Sequence, residues 1–134
     1  MEISSLNFFA IFVAALSAFL IGGLWYSPVM FSKIWMKENG FNEEDLKGAN
    51  MLAIFGGSFV LEFVMAFNLA AFLGDTADLI WGITAGALAG IGWVAASTGV
   101  TYLFERKSMK LFLINAGYHV IVFVVMGAIL GVWK

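Results

Sequence analysis

The chain has 134 residues, of which 62% are apolar and only 12% charged, with a net charge of −2. Soluble domains run at about 45–50% apolar and about 25% charged, so this composition excludes an ordinary water-soluble fold. The absence of cysteine excludes disulfides, thiolate metal sites and cysteine nucleophiles, and no Lys/Arg cluster has the size of a nucleic-acid surface.

Four apolar segments are predicted, at 6–26, 51–73, 79–103 and 111–133. Each has roughly the twenty residues that carry a helix across a bilayer core. The expected fold is all-α: a single integral membrane bundle of four transmembrane helices. A short interfacial helix is expected between the first and second.

The first segment lacks a basic start and a small-residue cleavage site, so it reads as a retained helix and not a signal peptide. Ala10, Ala14, Ala18 and Gly22 put small residues on one of its faces. Pro28 ends or kinks it, because proline lacks an N–H and restricts the residue before it. Met30, Phe31, Ile34 and Trp35 then form one apolar stripe, which predicts a surface helix over 29–38. Asn39-Gly40 stops that helix, and Asn42 before three acids reads as a second N-cap.

The second segment carries a carboxylate, Glu62. It lies about eleven residues from the helix start, a depth of roughly 16 Å, near the middle of a core about 30 Å thick. A charge there costs at least a few kcal/mol, on the order that demands a partner or a function. Ser58 precedes it by one turn and shares its face, while Asn68 points toward another neighbour or an oligomer seam.

Gly82, Gly86 and Gly90 form a ladder on the third segment, as do Gly127 and Gly131 on the fourth. Lipid provides no hydrophobic drive between helices, so small residues that let backbones approach supply the packing. Those contacts could lie within one chain or between copies, and a homo-oligomer is expected because four helices offer few walls for an enclosed site. Trp93, Ser97 and Thr101 make a polar stripe on the third segment. Asn115, Tyr118 and His119 share a face of the fourth.

These groups reach similar depths, which predicts one polar layer. The ligand- or proton-binding candidates are Glu62, His119, Asn115, Tyr118, Trp93, Ser58 and Ser97. Catalytic residues, metal ligands and a cofactor are not expected, since one His and one Glu make too few ligands. The structural alternative is that Glu62 is interhelical glue, hydrogen-bonded to Asn115, Tyr118 or His119.

Lys33, Lys37, Lys47, Arg106, Lys107 and Lys110 fall in two loops on one side, with only Lys134 on the other. Positive charge stays inside, so both termini are expected outside the bacterial cytoplasmic membrane. Trp25, Tyr26 and Tyr102 would mark the inner headgroup level, with Trp35 in the surface helix; Trp81 and Trp133 would mark the outer level.

Trp25-Tyr26-Ser27-Pro28 followed by Phe31 and Trp35, Asn7 before the first helix, and Phe112 to Tyr118 followed by Met126-Gly127 resemble a bacterial membrane family, domain of unknown function 1761. The resemblance spans nearly the whole chain. It implies a small four-helix membrane protein and no particular activity. It favours Trp25, Tyr26, Pro28, Trp35, Asn115, Tyr118 and Gly127 as residues of the family pattern.

The leading functional expectation is a small oligomeric transporter or channel for an unidentified solute or ion, proton-linked through Glu62, with the lipid bilayer as its setting. The alternative is a binding or accessory protein whose polar layer is structural. A third is a membrane enzyme using His119 and Glu62 as acid and base on an apolar substrate.

Overall fold

The computed structural model describes residues 5–133. Lys134, the basic residue expected opposite the other six, lies outside the described residues. The chain is all-helical, with four helices long and apolar enough to cross a membrane. These are α1 (Phe8–Trp25), α4 (Met51–Leu73), α5 (Leu79–Glu105) and α6 (Met109–Val132), with α2 (Ser32–Asn39) and α3 (Glu43–Leu46) between the first two.

Each long helix starts at a side-chain cap. Asn7, Asn50, Asp78 and Ser108 accept the backbone N–H of Ala10, Ala53, Trp81 and Leu111. The caps satisfy donors that a helix N-terminus otherwise leaves open. The cap at Ser108 explains why α6 begins at Met109, ahead of its apolar run. Arg106 takes a left-handed conformation, φ 58°, to end α5, and Gly40 does the same for α2 at φ 73°.

The surface helix starts later than its apolar stripe suggests. After Pro28 the chain turns, with the Met30 and Ser32 N–H groups donating to the Ser27 carbonyl and the Phe31 N–H to the Trp25 carbonyl. Met30 and Phe31 therefore belong to the turn, and helix begins at Ser32. Phe31 lies against the Trp25 ring, 4.8 Å between centroids.

Helix α6 is the hub. It packs against α5 most extensively, then α1, and it also touches α2 and α4. The glycine ladder is used here. Cβ atoms on Gly82 and Gly86 would fall on the Gly127 and Phe123 carbonyl oxygens, and one on Gly131 on that of Asp78. The α5 and α6 backbones thus meet directly, and these ladders are consumed inside one chain. Along α1, the face made by Ala10, Ala14 and Ala18 is fully buried.

Helix α4 is the least buried of the four, at 11% of its apolar window against 44% for α6. It leans on α1 through aromatic contacts, Phe12 on Phe59 and Phe19 on Phe55 and Phe59. Its buried stripe is Glu62, Ala66, Leu69 and Leu73. Residues 51–57 are all exposed, so α4 parts from the bundle on the α2 side of Glu62. Large apolar side chains face outward all around, Leu52, Val60, Ile80 and Phe104 among them. A soluble monomer rarely exposes apolar patches of more than about a few hundred Å².

Inside α5, Ala89–Ala95 is π-helical. The wide turn takes in Gly90, the last member of the glycine ladder, which meets Val120 and Phe123 of α6.

Candidate functional site

The parting of α4 from α1 leaves a cleft of about 340 Å³. Helix α1 contributes Phe19, Gly22, Gly23 and Tyr26; α4 contributes Ile54, Phe55, Ser58 and Glu62; Tyr118 of α6 completes the lining. From Ile54 to Glu62 is eight residues of helix, about 12 Å. Glu62 is 8% exposed.

Three helices converge on one hydroxyl. Tyr118 Oη lies 2.8 Å from Glu62 Oε1 and 2.9 Å from the Ala18 carbonyl oxygen. Gly22 makes this possible, since a Cβ there would sit 2.9 Å from the phenol oxygen. Glu62 Oε2 is buried with no hydrogen-bond partner. The site therefore holds one bonded carboxyl oxygen and one that is buried without a partner.

Above the turn at Pro28, the same part of α6 receives the end of α1. Trp25 Nε1–H donates to the Ile114 carbonyl at 2.9 Å, and its ring covers Gly117. Tyr26 O–H donates to Asn115 Oδ1 at 2.7 Å, and Asn115 Nδ2–H donates to Tyr102 Oη at 2.6 Å. Trp25 and Tyr26 thereby anchor α1 to α6, and Asn115 extends the tie to α5. Trp35 rests edge-on against Tyr26, 6.2 Å between centroids.

The expected single polar layer is divided in two. Ser58, Glu62 and Tyr118 meet at the cleft. His119 does not reach Glu62; it lines a separate hollow of about 320 Å³ with Tyr26, Thr98, Thr101, Tyr102 and Asn115. Its Nδ1 is buried and unpartnered there. Adjacent residues on a helix point about 100° apart, so Tyr118 and His119 serve different neighbours.

Trp93 and Ser97 join neither group. Trp93 is 67% exposed and stands edge-on to Phe72. The Ser97 hydroxyl donates to its own helix, at the Trp93 and Val94 carbonyls, and Thr101 does the same to Ser97. Asn68 is exposed on α4, its amide donating to the Val64 carbonyl. Among the described residues no group of three or more His, Cys, Asp or Glu side chains is placed to hold a metal ion.

The carbonyl of Ala18 and the space at Gly22 were missed as functional parts by sequence reasoning. The signal was present in the small-residue ladder of α1, whose last two members they are.

The chain matches the model of a protein family of unknown function, DUF1761, over residues 9–131. It belongs to the DUF1761 family. The match takes in the Glu62–Tyr118 pair, the Trp25 and Tyr26 anchors and both glycine ladders of this DUF1761 chain. No curated protein and no solved structure matches the chain.

Proposed function

We propose that this protein is a small membrane transporter, proton-linked through Glu62, working as an oligomer in the bacterial cytoplasmic membrane with both termini outside. One observation carries the reading. A carboxyl near mid-helix lines an open cleft and keeps one oxygen, Oε2, without a partner. An ionisable group at that depth is a functional candidate by default. A plain structural tie would gain from satisfying both oxygens.

The orientation rests on the basic residues. Lys33, Lys37, Lys47, Arg106, Lys107 and Lys110 share the end at which the cleft's Ile54 and Tyr26 lie. Oligomer formation is supported by the sparse packing of α4, whose Gly56 and Gly57 have open space beside them. A second copy against α4 would wall the cleft.

The accessory reading keeps one specific observation in its favour, since Tyr118 ties Glu62 to Ala18 and so joins three helices. The enzyme reading loses its acid–base pair, because Glu62 and His119 line different hollows.

Labelling of Ser58→Cys in membranes tests the transport reading. Ser58 lines the cleft one turn from Glu62, so a membrane-impermeant thiol reagent should modify it from the basic side. If Ser58→Cys stays unmodified while the exposed Thr76→Cys reacts from its own side, the cleft is sealed from water and the transport reading fails.

A further inference from the structure

Tyr118 has one hydroxyl proton and two oxygens within hydrogen-bond distance. The Ala18 carbonyl can only accept, and an ionised Glu62 can only accept. Both contacts are full two-centre hydrogen bonds at once only when Glu62 supplies a second proton; otherwise one proton is shared between them. With the second proton, Glu62 Oε1–H donates to Tyr118 Oη, and Tyr118 O–H donates to Ala18. In that arrangement the site is a protonated acid whose buried, unpartnered Oε2 is a neutral acceptor.

The groups around Glu62 determine what could replace that proton. From α1 come the Ala18 carbonyl and the phenol of Tyr26, whose own proton goes to Asn115. From α4 comes the Ser58 hydroxyl, and from α6 only Tyr118. Helix α5 contributes nothing to the lining, and His119 faces the other hollow. No Lys, Arg or His lines the cleft, so an ionised Glu62 has no resident counter-charge. A buried charge without one costs several kcal/mol, on the order that forces it to stay neutral or find a partner. The positive charge must then arrive with the ligand.

Four aromatic side chains wall the cleft: Phe19, Tyr26, Phe55 and Tyr118. Aromatic rings attract weakly hydrated cations and hold apolar groups. A single carboxyl suits a monocation, whereas a hard divalent ion wants about six oxygen ligands. The cleft volume falls in the range of sites for small organic molecules, about 300–1,000 Å³.

Building on the transport reading above, we propose that the cleft binds an organic ammonium cation with an apolar body in exchange for the Glu62 proton. The exchange balances. The cation enters, the Glu62 O–H bond breaks and its proton passes to water. The Tyr118 hydroxyl turns from Ala18 to Oε1 of the carboxylate. Net charge in the cleft rises by one with the cation and falls by one with the proton. The turn of Tyr118 also frees the Ala18 carbonyl, which releases a tie between α1 and α6 when the cation is seated.

Calorimetry of the purified protein with benzyltrimethylammonium, in two buffers of different ionisation heat, tests this. One proton should be released per cation bound. The Kd should fall about tenfold for each unit of pH rise while Glu62 starts protonated. Glu62→Gln should abolish binding. In the wild-type protein, which needs no refolding argument, the cation should block modification of Glu62 by dicyclohexylcarbodiimide, a reagent for protonated carboxyls in apolar surroundings. Binding without proton release, binding that survives in Glu62→Gln, or no binding and no protection would each overturn the proposal. An open cleft by Ser58→Cys with no cation binding rejects the ligand class and leaves transport standing. A sealed cleft with proton-releasing binding supports the cation site and rejects transport.

Discussion

Gly82 of α5 and Gly127 of α6 touch backbone to backbone, so that a Cβ on either would fall on the other's carbonyl oxygen. Such contact is available only to glycine, and similar close approaches flank it, Gly86 against the Phe123 carbonyl and Gly131 against that of Asp78. Gly82→Ala should therefore destabilise the protein by about 1–3 kcal/mol, the usual cost of forcing atoms into a filled interface. Gly57→Ala, at a position with open space beside it, should be near neutral or slightly stabilising because alanine favours helix. Thermal unfolding of the two variants in one detergent compares them; equal melting temperatures would show that α5 and α6 are farther apart.

Tyr118→Phe keeps the ring and removes the hydroxyl. It leaves the Ala18 carbonyl without its inter-helix donor and Glu62 Oε1 without its partner. A loss of about 1–3 kcal/mol is expected, the cost of leaving buried polar groups without their partners. Ser17→Ala is the control, because that hydroxyl serves only the Ala14 carbonyl of its own helix. Should both variants melt alike, the three-helix junction is not formed.

Asn115→Leu removes the amide that links Tyr26 to Tyr102. The expected effect is local: faster backbone hydrogen exchange in the second half of α5 and in the turn after Pro28. The α5–α6 glycine contact should keep its protection. Uniform change across the chain, or none, would count against the link.

The proposed orientation makes its own prediction. Single cysteines at Asn39 and Ser108 should be shielded from an impermeant thiol reagent in intact cells, and one at Thr76 should react. The opposite pattern would invert the protein in the membrane.

The four long helices were legible in the sequence because length and apolar run are the property the fold uses directly. The mid-helix place of Glu62 was legible too, by counting along its apolar run. The partners within a layer were not. Asn115, Tyr118 and His119 share a broad face by spacing alone, yet Tyr118 turns to α1 and α4 while the other two turn to α5 and Tyr26. Spacing reports the angle around one helix and says nothing of where the neighbours stand. Trp93 and Ser97 escaped for a related reason. Their stripe was laid out on a regular α-helical period, and the chain departs from that period between Ala89 and Ala95. The late start of α2 hid in the same way, since an apolar stripe runs on through a turn as readily as through a helix.

That departure gives α5 two faces in sequence. Before it, the side toward α6 is bare backbone at Gly82 and Gly86; after it, the side toward α6 presents Tyr102 to Asn115. A π turn holds more residues than an α turn, so the segment acts as a phase adjuster between two surfaces with different requirements. Wound as regular α-helix, the same seven residues would swing everything beyond them by about 100°, one residue's turn, and Tyr102 would leave Asn115. Deleting Gly92, which has nothing within 4 Å of its Cβ position, should let the segment close to α-helix with both halves still seated. The wide turn is thus a gear between halves: it takes up the slack of about one residue so that each half keeps its own partner on α6.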